Sequence, residues 1–323
     1  MMKKIVFLCP YFGRLPGHFQ LWLDSCADNP EVFWRIYTDD HTEYPLPENV
    51  MIEYTTLPEL HARFQQKFDF PIALSTIKKL GDYKPLFGYL FEEEIRDFAF
   101  WGHIDLADEI YGNIRKFVTD DVMAKYDKIM LFGHMSLYRN TPEVNRRFMA
   151  STGTELDYKQ IFGTEHFYNF EEIAHGSIAD IYRHNGWPIG RLDDKYADLR
   201  CVSYAFQFGV WTEDLSRYIV LNKRPCIFTR EGGALYCYYL RKGAVCKEEM
   251  MYAHFKRRKM PGYDTLKTKD YLMLPSGFAD FEPVTPELIK RANKGPLFYE
   301  AYWSQRKKTV MDKLRRLLGL QKK

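Results

Sequence analysis

Strand-like and helix-like runs alternate along the first 135 residues. Lys4–Cys9 is a short apolar run with β-branched members and predicts a first strand, and His18–Asn29 has the apolar spacing of a helix. Further strands are predicted at Phe33–Thr38, Val50–Leu57, Phe98–Ile104 and Lys128–Phe132, and further helices at His61–Phe68 and Lys84–Asp97. This alternation predicts an α/β fold, with a mostly parallel, Rossmann-like sheet flanked by helices on both faces.

The loops that follow these strands are the first place to look for a ligand. Ligands of open parallel sheets bind at the carboxyl ends of the strands, so Pro10–Gly17, Asp39–His41 and Asp105–Gly112 should converge on one crevice. The Gly13-x-x-x-Gly17 loop lacks both the GxGxxG fingerprint and the Gly-Lys-Ser/Thr of a P-loop. The usual NAD and ATP signatures are therefore absent.

The second half is less regular. Ile219–Val245 contains aromatic runs broken by Lys-Arg-Pro and Glu-Gly-Gly, which predicts antiparallel strands, and Glu249–Phe255 is another strand candidate. Without a low-complexity linker, the simplest interpretation is one domain over residues 1–303. Residues 1–135 would form its nucleotide-sugar half and residues 136–303 its acceptor half, followed by an appendage, 304–323.

An acidic segment ends the strand before residue 105. The aromatic run from Phe100 stops at Asp105 and Asp108. Carboxylates at the end of a buried strand are costly unless something pairs with them. Mg²⁺ or Mn²⁺ carrying a phosphate ligand is a common partner, and a strand end followed by a solvated acidic turn is the alternative.

A histidine and a basic cluster form the second chemical signal. A neutral imidazole at His254 could complete a Mn²⁺ site that Asp105 and Asp108 begin. Lys256, with the two arginines after it, would supply positive charge for a leaving diphosphate. Taken alone, this cluster also fits a solvated strand end.

Five residues near the predicted crevice are candidate nucleotide contacts. Tyr11 could place its ring against a nucleobase, and Asp39 or Asp40 could accept hydrogen bonds from ribose hydroxyls or a base imide. Asp82 and Lys84 precede the helix before the acidic strand, where Lys84 could neutralise a phosphate. Turn formation and helix capping are the structural alternatives for the aspartates.

Composition is ordinary for a globular protein, with 28% charged and 46% hydrophobic residues, but charge is unevenly distributed. Residues 304–323 carry eight basic residues and one acid, or +7, in a chain of net charge +3. Val310, Met311, Leu314, Leu317 and Leu318 repeat there at helical spacing. A basic amphipathic helix of this kind is typical of peripheral binding to anionic membrane, and a solvated terminal helix is the alternative. Nucleic acid is not expected, because no base-reading motif accompanies the charge.

Localisation is inferred from the cysteines and the apolar runs. The six cysteines show no CxxC pair, so free thiols in a reducing compartment are expected. The apolar run after the basic N-terminus is short, and none reaches the length of a membrane span. We expect a cytoplasmic protein, peripheral on the inner face of the plasma membrane.

These motifs together resemble a group of bacterial glycosyltransferases of polysaccharide biosynthesis, which act in capsular and surface glycan synthesis. The resemblance covers about residues 3–260. It is carried by Tyr11-Phe12-Gly13, Leu15-Pro16, Gln20–Leu23, Ser25-Cys26, Asn29-Pro30, Thr38–Asp40, Asp82–Pro85, Phe87-Gly88, Trp101–His103 with Asp105, Gly112–Arg115, Gly133-His134, Ser136–Asn140, Tyr252, His254-Phe255 and Arg258. One departure stands out, because the family's Asp-x-Asp would place the second acid at residue 107, whereas the next acid here is Asp108.

The resemblance implies a GT-A-type fold and transfer of a sugar from a nucleoside-diphosphate sugar, with a UDP-sugar the first choice. The acceptor would be a surface polysaccharide or a lipid-linked glycan. Asp105, Asp108 and His254 would hold Mn²⁺ or Mg²⁺, and Lys84 and Lys256 would stabilise the leaving phosphate. Acceptor contacts would come from the second half, where Glu231 is a candidate general base.

Two other functions remain open at this stage. A nucleotidyltransferase acting on sugar phosphates would also combine an α/β nucleotide site with acidic metal ligands, although Arg14 alone is thin support for a triphosphate grip. A non-catalytic, membrane-associated carbohydrate-binding protein would use the same carboxylates for structure.

Overall fold

The computed structural model describes residues 3–201, 203–256, 258–296, 299–300, 303–304, 306–307 and 310–311. The chain divides into two compact units, Met1–Asp193 and Asp194–Lys323. Residue 135, where the sequence analysis separated two halves, lies inside the first unit at the start of a strand.

The first unit contains a mixed sheet and many short helices. Its strands are β1 Lys3–Pro10, β2 Val32–Thr38, β3 Val50–Tyr54, β4 Phe98–Ile104, β5 Glu109–Tyr111, β6 Lys128–Ile129, β7 Met135–Arg139 and β8 Ile189–Gly190. Its α-helices are α1 Phe19–Ala27, α2 Leu57–Gln65, α3 Ile77–Tyr83, α4 Phe87–Leu90, α5 Ile114–Phe117, α6 Asp120–Lys125, α7 Pro142–Asn145, α8 Tyr158–Phe162 and α9 Ile178–His184. Lys84–Leu86 and Arg147–Met149 are 3₁₀ helices.

The sheet of the first unit has the order β3-β2-β1-β4-β7-β6-β8. Strand β1 is parallel to both β2 and β4, and β2 is parallel to β3. Strand β7 is antiparallel to β4 and to β6. The predicted α/β fold with a largely parallel sheet is therefore confirmed, with one antiparallel strand next to β4.

Both faces of the central strands are buried, which explains why β1 is a continuous apolar run. Val6 and Leu8 pack into one core with residues of α2 and α4. Phe7 points the other way and stacks on Trp34, which in turn contacts Trp22 of α1. Helices therefore cover both faces, as expected.

Tertiary packing shortens one predicted helix. The expected helix Lys84–Asp97 is a 3₁₀ turn followed by α4, which ends at Leu90. Gly88 lies so close to the Trp101 indole that a Cβ atom there would be 2.1 Å from the ring. This close contact fixes α4 against β4, and the residues after Leu90 return as turns to the start of β4.

The second unit is built mainly from antiparallel strands. They are β9 Tyr196–Asp198, β10 Gly209–Trp211, β11 Tyr218–Val220, β12 Cys226–Glu231, β13 Ala234–Arg241, β14 Ala244–Met250, β15 Tyr252–His254, β16 Tyr271–Leu274 and β17 Gly277–Asp280, accompanied by helix α10 Pro286–Ala292. The order β14-β13-β12-β16-β17 is antiparallel throughout. The prediction of antiparallel strands in residues 219–245 is confirmed.

Two smaller strand pairs and a helix complete the second unit. Strands β9 and β15 pair in parallel, and β10 pairs with β11. Helix α10 packs Leu288 and Ile289 on Ile227 and Leu272 of the sheet. The single strand predicted at Glu249–Phe255 is divided between the end of β14 and β15.

Little of the predicted C-terminal helix can be described. Within residues 304–323, the structure describes Ser304, Arg306, Lys307, Val310 and Met311, all exposed and helical. Leu314, Leu317, Leu318 and the other residues of this segment lie outside the described ranges.

Candidate functional site

The strand order of the first unit places a topological switch point between β1 and β4. From β1, the chain adds β2 and β3 on one side of the sheet and then returns to add β4 on the other side. In open α/β sheets, ligands bind outside the carboxyl ends of the strands where this direction reverses. We call the ends of β1, β2, β3 and β4, with the loops that follow them, the carboxyl edge.

Asp39 and Asp40 shape the loop that follows β1. The Gly13 N–H donates to Asp39 Oδ1 over 2.7 Å, and the Leu15 N–H donates to Asp40 Oδ2 over 2.7 Å. Hydrogen bonds from the Thr42 hydroxyl, and then from the Leu15 and Thr42 N–H groups, lower the pKa of Asp40. These two predicted nucleotide contacts thus hold the first loop against the end of β2, and Asp39 remains exposed.

Tyr11 is part of the same loop. Its N–H donates to the Tyr37 carbonyl over 2.8 Å, which continues the pairing beyond β1 and β2. Its hydroxyl donates to the Arg14 carbonyl over 3.3 Å. The structure places Tyr11 at the carboxyl edge, where the sequence analysis expected it, and its contact with a nucleobase stays a prediction.

Lys84 and Asp105 form an ion pair at the end of β4, although 21 positions separate them in the sequence. The Lys84 ammonium also donates to the Gly133 carbonyl over 3.1 Å. Burial by itself would lower the pKa of Lys84. The charge of Asp105, followed by that of Glu171, outweighs this effect, so the pKa lies above its usual value. This raised pKa shows that the surroundings of the ammonium favour positive charge.

The turn after Asp105 carries backbone strain. Asp108 N–H donates to the Asp105 carbonyl over 3.1 Å, which closes a turn through Leu106 and Ala107. Ala107 has φ of +60°, a left-handed conformation that usually favours glycine. His18 Nε2 lies 2.7 Å from the Ala107 carbonyl and holds it. Asp105 and Asp108, which are three positions apart, are thus joined by a strained turn. Strained backbone conformations of this kind cluster at functional sites.

Two glutamates beside Lys84 were missed by the sequence analysis. Glu171 is only 7% exposed, and burial raises its pKa to about 7 although Lys84 opposes the rise. A Cβ atom on Gly133 would lie 2.4 Å from Glu171 Cγ, and one on Gly81 would lie 2.9 Å from its Oε1. Glu172 accepts a hydrogen bond from the Gly133 N–H over 3.2 Å. The only sequence signal was the Glu-Glu pair itself, in a segment without clear periodicity.

His103 lies beneath this cluster in β4. Its Nδ1 is 3.1 Å from the Gly133 carbonyl, the same oxygen that Lys84 contacts. Burial, followed by the charge of Lys84, lowers the pKa of His103 well below its usual value. The imidazole is therefore neutral and adds no charge next to Lys84.

Asp82 has a structural role instead. It is fully buried, and it pairs with the equally buried Lys79 over 2.9 Å. Its carboxylate also accepts hydrogen bonds from the N–H groups of Tyr168 and Phe170 over 3.0 and 2.9 Å. These contacts attach the segment before Glu171 to α3, and we leave Asp82 out of the proposed nucleotide contacts.

The carboxyl edge suits a divalent cation chemically. Asp105 supplies carboxylate oxygen, the ligand that Mg²⁺ and Mn²⁺ prefer, and its side chain is 37% exposed. The raised pKa of Lys84 indicates a negative potential at this position. In the described part of the chain, no trio of His, Cys, Asp or Glu ligand atoms within 4.8 Å includes Asp105 or Asp108. A cation here would therefore need ligands from a substrate or from water.

In the second unit, Asp198 joins two of the predicted residues. His254 is opposite Asp198 in the β9–β15 pair, and its Nδ1 lies 2.9 Å from Asp198 Oδ1. Lys256 pairs with Asp198 Oδ2 over 2.7 Å. A carboxylate on Nδ1 orients an imidazole so that Nε2 can act as a ligand, an arrangement common among metal-binding histidines. The sequence analysis missed Asp198, because its three-residue strand gives almost no periodic signal.

Glu231 is held as an ionised carboxylate. It ends β12 and contacts the Lys247 ammonium and the Tyr238 hydroxyl, both over 2.9 Å, and the Thr229 hydroxyl. Burial alone would raise its pKa, but hydrogen bonds from Lys247, Thr229 and Tyr238 give a net lowering. A general base needs a pKa close to the working pH, so these contacts weigh against that role for Glu231.

The fold and site define the class of this protein as an α/β protein with a topological switch point between β1 and β4 and an aspartate–lysine ion pair at the end of β4. The family described as "Family of unknown function (DUF6625)" matches residues 7–282, and the chain belongs to this family. No curated protein and no solved structure matches the chain. Within the described residues, no helix is both long and apolar enough to cross a membrane.

Proposed function

We propose that this protein is a metal-dependent glycosyltransferase that uses a nucleoside-diphosphate sugar. The observation that carries the proposal is the Lys84–Asp105 pair at the end of β4, beside the switch point between β1 and β4. In a metal–diphosphate complex, the Asp105 carboxylate would suit the metal ion and the Lys84 ammonium would suit the diphosphate. Nucleotide phosphates are typical ligands of such a crevice.

The finer fold assignment is part of the proposal. Strands β3-β2-β1-β4 have the order of a mononucleotide-binding half, and the chain then leaves that pattern with the antiparallel strand β7. This combination supports the GT-A-type unit that the resemblance implies, with Asp105 at the end of β4.

Each candidate residue of the first unit would bind a different part of the metal–nucleotide complex. Asp105, with Asp108 in the same turn, would hold Mn²⁺ or Mg²⁺. Such a cation neutralises charge on the leaving diphosphate. Lys84 would exchange its contact with Asp105 for a phosphate oxygen, which stabilises the same charge. The loop shaped by Asp39 and Asp40 would contact the nucleoside, and Tyr11 lies on it.

Partners and location follow the same reasoning. We take a UDP-sugar as the first donor to test, and a surface polysaccharide or lipid-linked glycan as the acceptor. The basic segment 304–323, with net charge +7, would hold the enzyme on the anionic inner face of the plasma membrane. His254 and Lys256 remain predicted contacts, supported by their shared carboxylate partner Asp198.

Calorimetric titration with nucleotides tests the proposal directly. We expect the full chain to bind UDP or GDP in the presence of Mn²⁺ and to lose most of that binding with EDTA. A preference for nucleoside triphosphates would favour a nucleotidyltransferase. Absence of any nucleotide binding, with or without metal, would refute the proposal and leave a non-catalytic carbohydrate-binding protein.

A further inference from the structure

Two aromatic side chains form a stacked pair beyond the ends of β2 and β3. The ring centroids of His41 and Tyr54 are 4.4 Å apart, with an interplanar angle of 18°. Tyr54 is the last residue of β3 and is in register with Thr38, the last residue of β2. His41 follows Thr38 by three positions. The pair therefore belongs to the carboxyl edge.

Local hydrogen bonds fix the pair before any ligand arrives. Asp40 Oδ1 accepts from the Thr42 N–H over 2.9 Å, so His41 lies at the centre of an Asx-type turn. Asp40 Oδ2 also accepts from Leu15, which ties this turn to the first loop. On the other side, the Thr55 N–H donates to the Thr38 carbonyl over 2.9 Å and holds the end of β3. A surface arranged in advance loses little conformational freedom when it binds a ligand.

The pair is open to solvent. Tyr54 is 49% exposed, and His41 is also exposed. Most aromatic rings of this unit lie in its core, where stacking is ordinary packing. An exposed stacked pair instead offers a flat π face to which another flat ring can be added.

The distance between this pair and Asp105 fits a nucleotide whose diphosphate lies near Asp105 and whose base lies on the pair. Neighbouring strands are about 4.8 Å apart, so the end of β3 lies about 14 Å from the end of β4, with β2 and β1 between them. In dinucleotide-binding folds, an acid at the end of the second strand contacts the ribose, which places the base on the far side from the fourth strand. Asp39 and Asp40 occupy that second-strand position here.

We propose that the His41–Tyr54 pair is the stacking surface for the nucleobase of the donor nucleotide. This inference rests on the proposed function and adds a base subsite to it. Stacking accepts any base because every base has a π face. The pair should therefore strengthen binding of uridine and guanosine diphosphates alike, without choosing between them.

The test compares nucleoside diphosphates with a ligand that has no base. Mn²⁺-dependent binding of UDP, GDP and inorganic pyrophosphate is measured by calorimetry on the full chain, for wild type, His41→Ala and Tyr54→Ala. We expect each variant to bind UDP and GDP about tenfold more weakly, while pyrophosphate affinity is unchanged. Tyr54→Phe, which keeps the ring, and Met51→Ala, on the same strand, are the matched controls and should bind UDP like the wild type. Circular dichroism confirms that each variant is folded.

Three results would overturn the inference. One is unchanged UDP affinity in both alanine variants, and another is an equal loss for pyrophosphate, since the effect would then lie outside the base. The third is found by titrating the same variants with a UDP-sugar, because a loss confined to the UDP-sugar, with UDP unchanged, would assign the rings to the sugar instead. If wild type itself binds no nucleotide, the proposed function fails as well, and that outcome is recognised before any variant is made.

Discussion

At the scale of single residues, the first unit concentrates unusual electrostatics around Lys84. Its ammonium contacts Asp105 and the Gly133 carbonyl, and Glu171 raises its pKa further. Glu171 itself is buried, with a pKa of about 7. Strongly perturbed groups next to a strand-end carboxylate are typical of functional sites, although ion pairs with a structural role also produce them.

Replacing Asp105 by Asn tests the metal ligand. Asn keeps the size of the side chain but removes the charge that a divalent cation needs, so we expect metal-dependent hydrolysis of the sugar-nucleotide donor to fall at least about 100-fold. Diphosphate release is the measurement, and the thermal unfolding curve shows that the fold is retained. Asp69→Asn, a strongly exposed carboxylate of the same unit, is the control and should retain full activity. Undiminished hydrolysis in Asp105→Asn would remove Asp105 from the site.

The raised pKa of Glu171 predicts that the free energy of unfolding depends on pH. Its pKa is raised in the folded protein, so the folded state binds more protons than the unfolded state between about pH 4.5 and 7. The free energy of unfolding should therefore decrease as pH rises through this range, by on the order of 3 kcal/mol from this group, and then level off. Urea unfolding at pH 5 and pH 8 measures the change.

The Glu171→Gln variant supplies the comparison. Gln does not titrate, so the difference in unfolding free energy between pH 5 and pH 8 should become smaller by this amount. Glu48→Gln, at an exposed glutamate of the same unit, should keep the wild-type difference. An identical pH dependence in wild type and Glu171→Gln would show that Glu171 is not protonated on folding.

At the scale of elements, a buried ion pair positions Glu171. Helix α3 provides Lys79 and Asp82, and Asp82 accepts hydrogen bonds from Tyr168 and Phe170. The Lys79 ammonium also donates to the carbonyls of Ile161 and His166. Helix α3 thus fixes the segment that brings Glu171 next to Lys84, while Thr76 caps its N-terminus.

Lys79→Met tests this connection. The variant leaves the fully buried Asp82 carboxylate without its cation, which should lower the unfolding free energy by about 3–5 kcal/mol. Urea denaturation gives the value. Lys78→Met, the exposed neighbour in α3, is the matched control and should change stability by less than about 0.5 kcal/mol. A loss below 1 kcal/mol in Lys79→Met would mean that Asp82 needs no buried cation.

At the scale of the whole molecule, charge is segregated to the C-terminal segment. Residues 304–323 carry +7, so the rest of the chain carries −4 of the total +3. In the described part of this segment, Val310 and Met311 are helical and exposed, as an amphipathic helix requires. The positive charge of this segment is the basis for the proposed attachment to an anionic membrane.

Deletion of residues 304–323 tests membrane attachment. Basic residues near an anionic surface contribute about 1 kcal/mol each, so we expect vesicle binding to weaken by at least about 100-fold. Co-sedimentation with phosphatidylserine-containing vesicles measures it, and neutral phosphatidylcholine vesicles should bind neither form. Nucleotide binding serves as the folding control. Equal sedimentation of the truncated and full-length chains with anionic vesicles would contradict the attachment.

The amino-acid pattern alone determined the central parallel strands. Strands β1, β2 and β4 were predicted within one or two residues, because strands buried on both faces are continuous apolar runs bounded by turn residues. The same pattern located the carboxyl edge, since parallel strands must end on one side of their sheet. The pattern therefore predicted that Tyr11, Asp39, Asp40 and Asp105 lie in one region of the fold.

Only the tertiary structure decided which side chains meet within each unit. Three contacts join residues that are far apart in the sequence or lie on strands too short to be periodic. They are the Lys84–Asp105 pair, the packing of the Glu171 carboxyl between two glycines, and the contacts of Asp198 with His254 and Lys256. Lys84–Asp97 has a helical pattern, but this segment forms only a 3₁₀ turn and the single turn of α4, in which Gly88 packs closely on Trp101. Helices and strands can be predicted from the sequence because buried and exposed positions alternate with a fixed period in each. Side-chain pairings of this kind depend on how separate segments pack against each other, and this packing produces no periodic pattern in the sequence.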